Sequence, residues 1–304
     1  MNFMKYYLIK VIFVLATVPY LVSEKIPQSK NLPIIPHYQD EVFSGPKAIG
    51  QLANKKINEA SGLAFSRSHK GIVYTHNDSG HEPYVYLTDT LGKDRGIIKL
   101  KGVKNRDWED IAVGPGPDKK LSYVYVGEIG DNNGVHKNIK IFRFPEPKNV
   151  QLRMEIKPET LTLTYPDGPK DAETLMVDPR SGDFFIVSKR DSTNTLYRAP
   201  KKAFEKEQYV LEKVMELPFT MAVAGDISAD GSQILIKNYF TVFYWERKNG
   251  ESIPEALGRK PLILPYKTEP QGEAIGFHPS GNSYFTLSEK SFGIAPVLYR
   301  YDKK

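Results

Sequence analysis

Beyond residue 45 the chain is written in short apolar or alternating stretches separated by turns rich in Gly, Pro, Asp and Asn. Ile72–Tyr74, Tyr123–Val126, Ile139–Phe144, Leu161–Tyr165, Phe184–Val187, Ile234–Ile236 and Tyr284–Leu287 have the length and β-branched or aromatic content of strands. No long 3.6-residue apolar period occurs; the nearest approach, Lys201–Leu217, is bracketed by Pro200 and Pro218 and rich in charge. The pattern predicts an all-β chain with helix as a minor component.

One unit recurs five times. Each copy opens with a small or acidic residue two positions before a Leu or Ile, and continues through a turn into a second strand with a polar end. The openings are Ser61-Gly-Leu63, Glu109-Asp-Ile111, Glu173-Thr-Leu175, Gly225-Asp-Ile227 and Glu273-Ala-Ile275, spaced by 48, 64, 52 and 48 residues. That period suits the four-stranded blade of a β-propeller. Asp178–Gly182, Ala229–Gly231 and His278–Gly281 then turn between first and second strands, and Tyr84–Leu87, Ile139–Phe144, Thr195–Arg198, Val242–Trp245 and Val297–Tyr301 are third strands. The fifth unit ends at Asp302 without a fourth strand, while Lys47–Leu52 stands spare before the first unit. Pairing the two closes the ring and removes an open sheet edge. Five blades are expected, with six as the alternative because the 64-residue unit has room for another.

The start of the chain is different. Lys5 and Lys10 precede a 12-residue apolar run, Val11–Val22, too short to span a bilayer, and the polar Ser23-Glu24-Lys25 follows. This reads as a secretory signal peptide over residues 1–23, with an uncleaved anchor as the rival. A Pro-rich linker over 24–45 and a propeller domain over 46–304 follow, giving a secreted or periplasmic protein with no membrane in its mature form. Forty-two basic against 36 acidic residues leave a formal charge of +6, which does not require a nucleic-acid partner. The absence of cysteine excludes disulfides, thiolate zinc sites and a lipidated N-terminus, so a metal must be held by oxygen or imidazole.

The strings Thr75-His-Asn-Asp-Ser-Gly80, Asp107-Trp-Glu-Asp-Ile-Ala112, Gly127-Glu-Ile-Gly-Asp-Asn132, Asp171-Ala-Glu173 and Gln271-Gly-Glu-Ala-Ile275 together resemble a family of secreted β-propellers. That family is distantly similar to the propellers named for the esterase-like activity of phytase. The resemblance runs over residues 57–301 and implies fold and export more than reaction. The inner order Ser, Glu, Glu, Gly, Glu also resembles the calcium-activated nucleotidases, whose five-bladed propeller holds a central calcium; that parallel covers only the inner ring.

First strands line a propeller's channel, and their starts share a face with the ends of the second strands. Ser61, Glu109, Glu173 and Glu273 are therefore expected to converge, and mutually repelling carboxylates call for raised pKa values or a cation. Hard oxygen donors favour Ca²⁺; the competing structural reading has the same carboxylates capping turns and backbone amides. Around them, Asn77, Asp107, Glu128, Asp131, Asn132, Asp171, Lys237 and Glu289 are candidate ligand-binding residues, and His76, Asp78, Lys189 and Arg190 candidate catalytic ones. The second-strand ends are expected to be exposed. As a lone histidine His76 is more often structural, Trp108 is expected to pack beneath the next blade, and Gly127–Asn133 lacks the helix and the Lys-Ser/Thr of a phosphate loop.

No Gly-x-Ser-x-Gly elbow, His-Glu-x-x-His or Walker loop is present. Two functions stay open: a secreted Ca²⁺-containing hydrolase of a phosphate or other ester, or a non-catalytic propeller that binds a glycan, peptide or protein. The expected partner is a small anionic ligand or ester, or an extracellular glycan or protein, and the chain is expected to be a monomer.

Overall fold

The computed structural model describes residues 42–304 apart from 292 and 294. The signal-peptide stretch and most of the linker lie outside the described residues. Five mainly antiparallel sheets follow one another as the blades of a five-bladed β-propeller. The first strand, β1 (Lys47–Gln51), belongs to the last blade. Blade one is β2 (Ala60–Phe65), β3 (Ile72–Asn77), β4 (Tyr84–Asp89) and β5 (Asp94–Leu100). Blade two opens with β6 (Trp108–Pro115), β7 (Ser122–Glu128) and β8 (Ile139–Pro145). The chain then forms β9 (Arg153–Ile156), which lies parallel to β5 on the outer edge of blade one, before β10 (Glu159–Thr164) completes blade two. Blade three repeats the device. After β11 (Ala172–Val177), β12 (Phe184–Ser188) and β13 (Thr195–Ala199), a short β14 (Gln208–Val210) lies parallel to β10, and β15 (Glu212–Glu216) then finishes blade three. Blade four is β16 (Ala222–Ile227), β17 (Gln233–Asn238), β18 (Val242–Glu246) and β19 (Leu262–Leu264), with helix α1 (Ile253–Leu257) before its last strand. Blade five is β20 (Ala274–Phe277), β21 (Ser283–Leu287) and β22 (Val297–Asp302), closed by β1.

Closure occurs where the missing fourth strand predicted it, with Lys47 opposite Arg300 and Gln51 opposite Val297. The long second unit contains no extra blade; its additional residues make β9, which reinforces its neighbour. The fold begins a few residues before the expected domain start, since Phe43 is fully buried, pairs with Lys303 and packs edge-on against Tyr244 and Tyr284. Lys201–Leu217 is a 3₁₀ turn (Lys201–Glu205) followed by β14 and β15. The described α-helix lies elsewhere, started at Ser252 by a capping box with Glu255, and is too short to show a period.

The apolar core lies between blades, where the faces of adjacent sheets meet. Near the axis two buried aspartates stitch the first strands together. Asp110 accepts the N–H groups of Ile111 (2.8 Å), Leu175 (2.9 Å) and Gly225 (3.4 Å), so one carboxylate ties blades two, three and four. Asp226 accepts from Ile227 (2.8 Å) and Phe277 (2.7 Å), joining blades four and five. Burial raises both pKa values, that of Asp226 to about 7. Crowding at the axis also explains Gly225: a Cβ there would meet Thr174 Cγ2 at 2.8 Å and Met176 Sδ at 3.1 Å.

Candidate metal centre

The second and third first-strands carry bulges at their starts. Register slips between Trp108 and Asp110 and between Ala172 and Thr174, so Glu109 and Glu173 are the extra residues. A bulge re-aims a side chain that a regular pleat would bury between sheets, and the result here is a buried carboxylate cluster. Oxygens of Asp78, Asp107 and Glu109 lie within 4.8 Å of one another, and so do those of Glu109, Asp171 and Glu173; all five residues are buried. Glu109 belongs to both groups. Gly130 makes room for them, since a Cβ at that position would strike Glu109 Oε1 and the Asp107 carboxylate. Asn105, which the sequence did not single out, holds the arrangement from outside. Its amide donates to the carbonyls of Asn77 (3.0 Å) and Asp78 (2.8 Å), while its oxygen accepts the N–H of Trp108 (3.0 Å).

Two cations border the cluster on one side. Arg190 Nε donates to Asp171 (2.6 Å), whose other oxygen accepts the N–H of Asp131 (2.9 Å). Lys189, only 3% exposed, is ion-paired with Glu173 and donates to the Tyr239 hydroxyl at 2.9 Å; Tyr239 in turn donates to Glu273 at 2.5 Å. Among the described residues no lysine or arginine forms an ion pair with Asp107 or Glu109, and Glu173 Oε2 has no hydrogen-bond partner. The electrostatic consequence is strong. Burial, then the charges of Asp78 and Asp171, raises Asp107 to about 7. Burial and mutual repulsion hold Glu109 well above the ordinary carboxylate range, and burial does the same for Glu173 despite Lys189. Burial opposes the Lys189 ammonium, yet Glu173, Tyr239 and Glu273 hold its pKa well above that of a free lysine.

The ligand set expected for an ion is thus redrawn. Glu109 and Glu173 lie in the cluster, joined by Asp78, Asp107 and Asp171. Ser61 does not join them, because its hydroxyl donates to the Glu109 carbonyl at 2.6 Å. Glu273 is separated by Lys189, 4.0 Å from it, and engaged by Tyr239. His76 is a core residue: its ring is fully buried, edge-on to Trp108, with Nδ1 3.0 Å from the Asn77 carbonyl, and burial lowers its pKa to about 4. Trp108 is buried between blades, but against the preceding blade and not the next one as expected: it meets His76 of β3 and Phe142 of its own blade.

Of the second-strand ends, expected to be exposed, Asn132, Arg190 and Lys290 are, while most of the others fold inward. Asn77 takes the N–H groups of Asn58 and Glu59 and donates to the Lys56 carbonyl. Asp131 closes its own loop on the N–H groups of Val135 and His136, Asn132 binds Arg190, and Glu128 accepts the Arg106 N–H. Lys237 is completely buried on the Gly272 carbonyl above the Tyr266 ring; burial lowers its pKa to about 8, partly offset by Glu269 and Glu273. Glu289 is buried, its N–H on the Gln271 carbonyl. None of these residues belongs to the carboxylate groups.

Fold and site therefore define a five-bladed propeller with a buried acidic cluster, able to hold a metal ion, at the end of the ring where its first strands begin. No protein family matches the sequence, and no curated protein does. Among solved structures the chain is similar to a gluconolactonase from Xanthomonas campestris (11% identity, TM-score 0.47, 85% of this chain and 89% of that one). It is also similar to a chain of the nidogen–laminin complex (12%, 0.43, 76% and 73%) and to the hydrazine synthase of Kuenenia stuttgartiensis (13%, 0.38, 75% and 64%). At such identities and scores the chemistry of the site must be argued from its own residues. Among the described residues, no helix is long and apolar enough to cross a membrane.

Proposed function

We propose that the protein is an exported propeller that holds Ca²⁺ on Asp78, Asp107, Glu109, Asp171 and Glu173 and acts there on an anionic ester, a phosphate ester being the best fit. The observation that carries this reading is the imbalance of charge: five buried carboxylates converge, and among the described residues Asp107 and Glu109 form no ion pair with a lysine or arginine. Buried carboxylates without compensation are strongly unfavourable, so protons or a cation must be recruited. All-oxygen donors in an irregular array suit Ca²⁺ better than zinc, or than magnesium with its stricter octahedron. A bound Ca²⁺ supplies Lewis acidity toward a phosphoryl or carbonyl oxygen.

Arg190, with 38% of its side chain exposed while it is anchored to Asp171, is placed to meet a negatively charged group beside the carboxylates. Lys189 is committed to Glu173 and Tyr239 and fixes the cluster's far wall. A second reading, a calcium-stabilised binding propeller for an extracellular glycan, peptide or protein, is favoured by the burial of His76, which removes the histidine expected to move a proton. Assays on phosphate-ester and carboxylic-ester substrates, with Ca²⁺ and with chelator, separate the two. Turnover that chelator abolishes supports the hydrolase, and silence across the panel with Ca²⁺ bound supports the binding propeller.

A further inference from the structure

The five carboxylates of the candidate centre do not form one ligand shell. They sort into two groups of three, Asp78 with Asp107 and Glu109, and Asp171 with Glu173 and Glu109, each with its oxygens within 4.8 Å of one another. Two oxygens on the same Ca²⁺ are at most about 5 Å apart, twice a Ca–O distance of roughly 2.3–2.6 Å. Each group therefore matches the span of one ion, and among the described residues no group draws members from both outer pairs. Glu109 is the hinge. It is only 3% exposed, and among the described residues its carboxylate accepts no hydrogen bond and forms no ion pair. Ser61 donates to its backbone carbonyl instead, and Glu109 Oε1 faces Gly130 together with Asp107 Oδ2. Glu173 supplies another bare oxygen: Lys189 holds Oε1, and the buried Oε2 has no hydrogen-bond partner.

We infer that the centre is binuclear, with one Ca²⁺ in each group and the Glu109 carboxylate bridging the two. This rests on the cluster being a calcium site, as proposed for its function, and adds the number of ions and the residue between them. The two positions are unequal. In the first group neither Asp107 nor Glu109 is ion-paired with a lysine or arginine among the described residues, whereas in the second Lys189 offsets Glu173 and Arg190 offsets Asp171. The first group therefore attracts a cation more strongly. The second fills after it, against the repulsion of the ion already on Glu109. Paired ions about 3.5–4 Å apart clamp the attacking and leaving oxygens of a transferring phosphoryl group. Arg190, anchored to Asp171 at 2.6 Å, stands beside the second position to meet that group's remaining charge.

The experiment is isothermal titration of Ca²⁺ into metal-free protein, with metal analysis of the saturated protein. Two ions per chain are expected, in steps whose Kd values differ at least about tenfold. Asp107→Asn, which keeps the side-chain volume, should abolish the tighter step and leave one ion. Asp171→Asn should abolish the weaker step. A readout on the wild type alone is electron paramagnetic resonance with two equivalents of Mn²⁺, another ion suited to oxygen donors. A bridged pair couples its spins and loses the six-line signal of an isolated bound ion. One Ca²⁺ per chain, with a persistent six-line Mn²⁺ signal, would overturn the binuclear centre and leave a single-calcium site standing. No uptake at all would overturn both. Two ions with an uncoupled spectrum, or both steps surviving in a folded Asp107→Asn protein, would also overturn the inference.

Discussion

Lys189→Met tests whether the cluster is held together by its internal ammonium. Lys189 and Glu173 are each almost wholly buried and ion-paired, and Glu173 Oε2 already has no hydrogen-bond partner among the described residues. Methionine keeps much of the side-chain volume while removing the charge, leaving Glu173 beside Glu109 and Asp171 with no cation of its own. Breaking one side of a buried pair costs about 3–5 kcal/mol. In a domain of this size about 1 kcal/mol corresponds to roughly 2 °C, so the melting temperature in chelator should fall by about 6–10 °C. Glu173→Gln in the same background should recover much of the loss, because it removes the stranded charge, and the double-mutant cycle isolates the coupling. Excess Ca²⁺ should narrow the gap between Lys189→Met and wild type, since an ion on Glu109 and Glu173 performs the same neutralisation. The assay is differential scanning fluorimetry or calorimetry of the four proteins with Ca²⁺ and with chelator. A Lys189→Met melting temperature within about 1 °C of wild type in chelator would refute the reasoning, as would a double variant no more stable than the single one.

Stability without metal should also depend on pH in a defined sense. Asp107 and Asp226, raised from 3.8 to about 7, and Glu269, raised from 4.5 to about 7, favour folding while protonated, and that contribution is lost as pH climbs from about 4 through about 7. His76, lowered from 6.5 to about 4, works in the opposite sense below pH 6.5 but is one group against three. The melting temperature in chelator should therefore be higher at pH 5.5 than at pH 7.5, and calcium should reduce the difference; the reverse order contradicts the assignment. Asp226→Ala strands the N–H groups of Ile227 and Phe277 at the axis and should cost about 2–4 kcal/mol in urea denaturation. A value under about 0.5 kcal/mol would show that the aspartate does not join blades four and five. His76→Ala should destabilise the fold by about 2–3 kcal/mol through the void beside Trp108, while leaving Ca²⁺ affinity within about twofold; loss of the ion without loss of stability would return His76 to the site.

The repeat made the architecture legible, since the spacing of Ser61, Glu109, Glu173, Gly225 and Glu273 gave the blade count and the unfinished fifth unit located the closing strand. The same alignment brought Glu109 and Glu173 near the axis. It could not say how the side chains would be shared out. Asp107 and Asp171 sit two residues before their glutamates, and only the bulges, invisible in a hydrophobic pattern, aim all four carboxylates at one another. Polarity at the second-strand ends suggested exposure, yet Lys189, His76 and Lys237 are buried: Lys189 meets Glu173 of its own blade and Tyr239 of the next, Lys237 the Gly272 carbonyl 35 residues on, and His76 the Asn77 carbonyl and the edge of Trp108. Asp110 and Asp226 were hidden inside the repeat itself, one residue beyond the positions that drew attention, because a carboxylate bonding to backbone amides of the next blade leaves no local signature.

The central claim is that the carboxylate cluster exists to hold a divalent cation, and calorimetric titration of Ca²⁺ into metal-free protein tests it most directly. The wild type should bind calcium saturably and melt higher in its presence, by an amount approaching 2.7 kcal/mol of added stability at about 100 times Kd. Glu109→Gln, which removes the carboxylate common to both groups, should weaken that binding at least about tenfold without unfolding the protein. A wild type that takes up no calcium and melts at the same temperature with the ion as with chelator would contradict the account, and the cluster would then be a proton-sharing structural element of the propeller's axis.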